Sequence, residues 1–250
     1  MSIQWKNVLG QSDQGDPTRA RLGPRAPLIA QLMQPHAYNG GGDIRGHFEA
    51  LKKSNWLATL DSGTYTLSAN STTGLLEAVL TAHSDADDVA QLQESMDGGT
   101  TGVIRFVPLA GRVHFAELEV KTSAVATGAF LFGFATLDTT LLASGVEACS
   151  ADLIGFVKTK AAATILGRVM KATTATDTAD LATMVNATYM KLGILIDGVS
   201  GVHFFVNDVP TPQLTLTNLP TAALALSIAV SGASQAATIK NLWYGTCGGN

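Results

Sequence analysis

Large apolar residues alternate with small or polar residues over much of the chain after residue 60. The clearest run covers residues 223–231, where Leu224, Leu226, Ile228 and Val230 alternate with alanines and serines. Because alternate side chains of a strand share a face, this period of two predicts a β-strand with one bulky face and one small face. The bulky face indicates a core, and the small face suits the close approach of a second layer.

The same pattern, bounded by turn residues, predicts further strands along the body of the chain. They lie at residues 103–107, 112–122, 129–137, 153–158, 164–172, 189–196, 202–206 and 238–244, with a short repeat of the alternation at 214–217. About ten short strands with few helices are typical of an antiparallel sandwich or barrel. We therefore expect an all-β fold, an antiparallel sandwich or barrel with an extended N-terminal arm and one or two short helices.

Two segments depart from this period and predict the helices. Residues 44–60 place Phe48, Leu51 and Trp56 toward one side of a helix. Residues 84–96 begin with a serine suited to the N-cap position, and Val89, Leu92 and Met96 then share a helical face.

Three aspartates near the start of the second segment have two explanations. Asp85, Asp87 and Asp88 lie where the helix dipole favours negative charge. They are also the residue type of a calcium loop, although the glycine and terminal glutamate of the hand-type loop are missing. We expect the capped helix, with calcium as the alternative.

The composition is poor in charge and excludes several classes of protein. Charged residues make up 14% of the chain, hydrophobic residues 46%, and the formal net charge is −4. A chain this apolar buries enough surface to fold, so disorder is excluded, and its net charge argues against nucleic acid as a partner. Two cysteines exclude a disulfide scaffold; we expect Cys149 and Cys247 to be separate buried thiols, with a pair as the alternative.

No membrane segment or secretory signal is expected. The uncharged stretch 209–239 contains three prolines, and the shorter stretch 122–137 contains two glycines, so neither suits a spanning helix. The simplest explanation of the missing charge is that other subunits cover much of the surface. We therefore expect a homo-oligomer.

The first 60 residues differ in composition from the rest. They hold seven Lys and Arg against four Asp and Glu, half of all the prolines, and the triple glycine at 40–42. We interpret residues 1–60 as an extended, mildly basic arm that binds a partner, and residues 61–250 as the β-sandwich domain. The alternative is a leader packed on its own domain. The expected arm contacts are Trp5, Arg19, Arg21, Arg25, Leu28 and Ile29.

The run from residue 189 to 209 resembles a hairpin of the concanavalin A-like and laminin G-like jelly rolls. In those folds a strand ends in Asp-Gly, and the next strand carries an aromatic pair and closes in Val-Asn-Gly. Asp197-Gly198, Phe204-Phe205 and Val206-Asn207 match this pattern, whereas Asp208 replaces the usual glycine. The last predicted strand, 239–245, also resembles the closing strand of such a roll. With the segments at 115–120 and 130–135 upstream, the resemblance spans roughly residues 100–247 and implies an antiparallel jelly-roll sandwich.

The overall composition is similar to that of structural proteins of tailed-phage virions, including capsid decoration (cement) proteins. This likeness implies a non-enzymatic decoration protein on the capsid surface of a virion. It would bind the major capsid protein through its arm and low-charge faces, as a homo-oligomer for which a trimer is favoured, without nucleic acid, membrane or cofactor. The alternative is a receptor- or glycan-binding fibre or adhesin module, with Asn207, Asp208, Trp243 and Tyr244 as candidate glycan contacts.

Catalytic and metal-binding patterns are weak. Glu117 and Glu119 lie on one strand face, as the acids of some jelly-roll glycoside hydrolases do, but position 121 is lysine and no third acid follows. The five histidines show no metal-ligand spacing, and the chain has no phosphate-binding loop or nucleophile elbow. We expect no enzyme activity. A polysaccharide hydrolase that uses Glu117 and Glu119 is a third hypothesis, after the decoration protein and the glycan-binding module.

Overall fold

Two antiparallel sheets form the described part of the chain. The computed structural model describes residues 43–45, 56–61, 63–69, 76–95, 99–100, 106–142, 151–212, 214 and 216–247. Every regular element in these ranges is a strand. The described residues include no helix with the length and apolar character needed to cross a bilayer.

Sheet 1 has eight strands. Seven lie in the order β14-β13-β12-β6-β16-β4-β3, and β1 pairs with the far end of β16. Their bounds are β1 Asp43–Arg45, β3 Thr64–Ala69, β4 Leu76–Thr81, β6 Val113–Thr122, β12 Met190–Asp197, β13 Gly201–Val206, β14 Val209–Pro210 and β16 Ala236–Cys247.

Sheet 2 also has eight strands. Seven lie in the order β10-β9-β8-β7-β15-β5-β2, and β11 pairs with β9. Their bounds are β2 Trp56–Leu60, β5 Val89–Glu94, β7 Ala129–Ala135, β8 Leu153–Lys158, β9 Thr164–Lys171, β10 Thr174–Asp177, β11 Ala182–Thr183 and β15 Ala225–Ser231.

The main core lies between the sheets and follows the period of two. On β15, Leu226, Ile228 and Val230 belong to this core, and on β6 of the other sheet Leu118 and Val120 face them. Burying such side chains removes apolar area from water at about 25 cal/mol per Å², which is the main force holding the sheets together. The bulky face predicted at residues 223–231 is therefore the core face.

A second layer covers the outer face of sheet 2. Ala229 of β15 packs there in a cluster with Leu141 and Leu142, which follow β7. All seven residues of β7 are buried, which explains its nearly continuous apolar sequence. The strand also contains Gly133, where an added Cβ would lie 2.4 Å from the Cα of Gly155 on β8, so neither residue has room for a side chain.

The helix predicted at residues 84–96 is wrong. Residues 89–94 form strand β5, between β2 and β15, and a turn precedes it. In this turn the Asp88 amide donates to the carbonyl of Asp85 at 3.2 Å, and the Asp85 amide donates to Asp88 Oδ2 at 3.0 Å. The spacing of the apolar residues resembled that of a helix because both faces of β5 are buried and the residues on one buried face are glutamines.

The helix predicted at residues 44–60 is also wrong where the chain is described. Asp43–Arg45 and Trp56–Leu60 are strands, paired with β16 and β5 respectively. Trp56 is 2% exposed and belongs to the main core. Strands of both sheets thus begin before residue 61, and the rest of the predicted arm lies outside the described residues.

Candidate functional site

A β-bulge in sheet 1 gathers polar side chains on its outer face. Strand β16 pairs with β6 in regular register except between Ile239 and Asn241, where Lys240 is the extra residue. Successive side chains of a strand normally point to opposite faces, and a bulge changes this. Here Lys240 Nζ donates to Glu119 Oε1 at 2.9 Å and the side-chain amide of Asn241 donates to Glu119 Oε2. Two consecutive residues therefore bind one carboxylate.

Tyr189 lies across the same face. It precedes β12, and its hydroxyl donates at 2.8 Å to Glu77 Oε1 on β4. Strands β6 and β16 lie between β12 and β4, a span of about 14 Å at the usual strand spacing. The tyrosine and glutamate side chains together cross this distance, so the phenol ring lies over the sheet.

Two ammonium groups flank this ring. Lys121 Nζ lies 4.6 Å and Lys240 Nζ 5.2 Å from the centre of the Tyr189 ring, which are cation–π distances. Partial burial raises the pKa of Tyr189, and the hydrogen bond and negative charge of Glu77 raise it further. The phenol therefore stays protonated and keeps donating to Glu77. We call Glu77, Glu119, Lys121, Tyr189, Lys240 and Asn241 the bulge site.

An ion-paired row borders the bulge site toward β13. Lys191 Nζ lies 2.8 Å from Asp208 Oδ2 and 3.5 Å from Glu117 Oε1. Partial burial by itself lowers the pKa of Lys191, but the hydrogen bond to Asp208 and the charge of Glu117 outweigh it and raise that pKa. This lysine is thus a fixed cation between two carboxylates.

Asn207 and Asp208 form the two-residue turn between β13 and β14. Both have positive φ angles, 50° and 66°, which asparagine and aspartate tolerate better than most residues. Asn207 Oδ1 accepts a hydrogen bond from the Lys191 amide at 3.0 Å, and Asp208 binds the Lys191 ammonium. The structure therefore uses both side chains to hold the turn against β12.

Trp243 and Tyr244 lie on opposite faces of β16. Trp243 is opposite Glu117 on the outer face, partly exposed, and its buried Nε1 has no hydrogen-bond partner in the described part of the chain. Tyr244 is 6% exposed within the main core. The two aromatics predicted together are thus separated by the sheet, and only Trp243 borders the bulge site.

The two glutamates of the hydrolase alternative share the outer face as expected. Each has its own cation: Glu117 pairs with Lys191, and Glu119 pairs with Lys240. Glu119 also accepts a hydrogen bond from the Asn241 side-chain amide. The arrangement is therefore one of neighbouring ion pairs. The prediction that the protein is not an enzyme stays a prediction.

A Ser-His-Asp contact occurs at the turn before β5. His83 Nδ1 lies 3.0 Å from Ser84 Oγ and 3.4 Å from Asp88 Oδ2. A catalytic triad needs serine and aspartate on different ring nitrogens, whereas both contacts here involve one nitrogen. Among the described residues no group of three or more His, Cys, Asp or Glu is arranged to hold a metal ion.

Several predicted contacts lie outside the described residues. They are the arm residues Trp5, Arg19, Arg21, Arg25, Leu28 and Ile29, together with Cys149. Their predicted roles stay predictions.

Sequence reasoning missed the bulge site, although a signal for the bulge is present. Ile239 and Leu242 both belong to the main core, yet they are three residues apart, whereas regular alternation requires two or four. This spacing marks one extra residue in the closing strand. The positions of Tyr189 and Glu77 have no comparable signal, because their contact joins residues 112 positions apart.

Three solved structures are similar to this chain in fold. The peanut lectin, bound to a nine-residue peptide, has a TM-score of 0.53, 12% identity, and an alignment covering 82% of this chain and 96% of that one. The carbohydrate recognition domain of Emp47p has a TM-score of 0.50, 12% identity, and coverage of 78% and 89%. A carbohydrate esterase of the Shiga toxin-encoding bacteriophage phi24B has a TM-score of 0.51, 17% identity, and coverage of 81% and 94%.

At these identities the likeness shows the fold alone. It confirms the concanavalin A-like jelly roll expected from the 189–209 hairpin. No protein-family model matches the chain, and no curated protein sequence matches it.

Proposed function

We propose that this protein is a carbohydrate-binding module and that the bulge site is its glycan contact. The observation that carries the proposal is the bulge at Lys240, which places two consecutive polar side chains on Glu119 beside the Tyr189 ring. β-Bulges are common where a strand re-aims a side chain for function.

The residue types suit a sugar. A pyranose presents hydroxyl groups that both donate and accept hydrogen bonds, and an apolar C–H face. Carboxylates such as Glu119 accept, lysines donate, and the Asn241 amide does both. The Tyr189 ring, held by its hydroxyl, offers an apolar surface with a polar end at low cost in conformational entropy.

The fold supports the same proposal at the level of analogy. Two of the structural neighbours are described as a lectin and a carbohydrate recognition domain, and a third as a carbohydrate esterase. Because one fold hosts many functions, the likeness in fold is secondary support, and the main support is the arrangement of residues in the bulge site.

Glycan-array binding of the full chain tests the proposal, followed by calorimetry with the best ligand. We expect Tyr189→Ala, which removes the ring and the contact with Glu77, to weaken binding at least about tenfold, corresponding to about 1.4 kcal/mol. Lys171→Gln on β9 of sheet 2 is the matched control and should bind as the unmodified chain does. A silent array at high protein concentration, or unchanged affinity of Tyr189→Ala, contradicts the proposal.

Capsid decoration is a second proposal, supported by the low content of charged residues, 14%. In it the chain attaches to a phage head as a non-enzymatic homo-oligomer, through its N-terminal arm and low-charge faces. Its test is attachment of the chain to heads with and without residues 1–40. Equal attachment of both forms argues against the arm.

A further inference from the structure

The charges around the bulge site are unequally neutralised. Lys240 has Glu119 at 2.9 Å, and Lys191 has Asp208 at 2.8 Å. Lys121 forms no ion pair with any carboxylate of the described residues. Its ammonium lies instead over the Tyr189 ring. Among the described residues, Lys121 is therefore a cation without an ion-pair partner, beside two cations, Lys191 and Lys240, that have one.

The carboxylates near Lys121 are engaged elsewhere. Glu119, two positions before it on β6, accepts hydrogen bonds from both Lys240 and Asn241. Glu77 accepts the Tyr189 hydroxyl at 2.8 Å. Each acid thus already has donors from neighbouring strands, and these contacts hold both acids in place without Lys121.

The position of Lys121 suits contact with a ligand lying on Tyr189. Its partner in register on β16 is Thr238, which is half-buried on the same outer face. The ammonium lies 4.6 Å from the ring centre, so an anionic group on a sugar that touches the ring would come within ion-pair distance. A cation–π contact at a partly exposed position is weak compared with a charge-assisted hydrogen bond, so the lysine gains by turning to the anion.

We propose that the glycan bound at the bulge site is acidic and that Lys121 pairs with its anionic group. The group is a sugar carboxylate, as in a uronic acid, or a sulfate ester; both present oxygens that accept from an ammonium. This inference rests on the proposed carbohydrate-binding function and adds the class of ligand. A neutral sugar would use Glu119, Asn241 and Tyr189 but leave Lys121 without a role.

Four probes test the inference on the full-length chain. They are oligogalacturonate, its fully methyl-esterified form, dextran and dextran sulfate, each measured by calorimetry at low and at physiological salt. We expect tighter binding of a charged probe than of its neutral counterpart by about tenfold or more, and a smaller difference at higher salt. The comparison of oligogalacturonate with its methyl ester tests for binding of a carboxylate, and the comparison of dextran sulfate with dextran tests for binding of a sulfate.

Two substitutions locate the effect. Lys121→Gln should remove the preference for the charged probe, whereas Lys121→Arg should keep it, because the charge remains. Lys171→Gln on sheet 2 changes the net charge equally and should leave the preference intact. Thermal unfolding of each variant verifies that the fold is retained.

The outcomes separate the two proposals. Equal affinity for charged and neutral probes, or a preference that persists in Lys121→Gln, overturns the acidic ligand and leaves carbohydrate binding standing. Silence with these four probes and on the glycan array overturns both.

Discussion

His114 shows how the environment of one side chain changes its chemistry. It is 3% exposed, and its ring stacks on Phe106 with centroids 3.6 Å apart. Its Nε2 is buried with no hydrogen-bond partner among the described residues. The pKa of His114 is lowered to about 4, mainly by burial and to a smaller extent by the positive charge of Arg112. The folded protein thus favours the neutral imidazole of His114.

This environment predicts a loss of stability in mild acid. The unfolded chain binds a proton at this histidine near pH 6.5 and the folded chain only near pH 4, so stability falls as pH decreases through that window. Between pH 7 and pH 5 the expected loss from this group is about 2 kcal/mol. Urea unfolding at the two pH values measures it.

Two variants separate this effect from other acid-sensitive groups. His114→Phe keeps an aromatic ring on Phe106 and has no titratable nitrogen, so it should lose less stability than the unmodified chain between pH 7 and pH 5. Thr139→Ala, at an exposed position with no titratable group, should keep the pH dependence of the unmodified chain. An identical pH dependence in His114→Phe would show that this histidine is not responsible.

Lys158 is a second buried ionisable residue. It is fully buried, and its ammonium donates to the carbonyls of Gly128 and Thr159. Burial lowers the pKa of Lys158 to about 8. An apolar residue in this position could not donate to these two carbonyls, so Lys158 contributes two hydrogen bonds at the end of β8.

Among the elements, β5 holds the second layer on sheet 2. Its outward residues Gln91 and Gln93 are each 1% exposed. Gln91 donates to the Asp138 carbonyl and accepts from the Leu141 amide at 2.8 Å. Gln93 Oε1 accepts from the Asp138 amide at 3.0 Å. Residues after β7 therefore pack on the sheet through glutamine amides as well as apolar contacts.

Gln91→Met tests this role. The side chain keeps its volume but leaves the Asp138 carbonyl and the Leu141 amide without partners, at a cost of about 2–4 kcal/mol in unfolding free energy. Hydrogen exchange of the Leu141 amide should accelerate. Thr139→Ala, an exposed position in the same segment, should change stability by less than about 0.5 kcal/mol. Wild-type stability and exchange in Gln91→Met would contradict the role assigned to β5.

At the scale of the whole molecule, both sheets join distant parts of the chain. Strand β6 lies between β12 and β16, and β2 from the start of the described chain pairs with β5. The fold therefore closes only after its C-terminal strand β16 is available. Such long-range pairing is typical of slowly folding β-proteins.

Two truncations test where the folded unit begins. Removing residues 1–40 leaves β1 and β2 in place and should preserve cooperative unfolding. Removing residues 1–60 deletes both strands and Trp56, a core residue whose loss alone costs about 3–5 kcal/mol. Circular dichroism during thermal unfolding compares the two, and equal stability would show that β2 is dispensable.

The sequence pattern by itself determined several of the sheet-forming segments of the body. The prediction at 153–158 coincides with β8, and those at 164–172 and 202–206 differ from β9 and β13 by one residue at one end. Strands β9 and β13 have one face in the main core, so burial imposes alternation on their sequences. Strand β8 is buried on both faces, and its short, nearly continuous apolar run is itself a strand signal. The resemblance of the 189–209 run to a hairpin of the concanavalin A-like and laminin G-like folds indicated the jelly roll.

Only the tertiary structure decided the elements and the site whose partners are remote. Val89–Glu94 is a strand because β2 and β15 flank it and the segment after β7 covers its outer face. The bulge site exists because β4, β6, β12 and β16 bring Glu77, Lys121, Tyr189 and Lys240 together. Periodicity reports which face of a strand is buried, whereas the order of strands in a sheet is set by contacts between residues far apart in sequence.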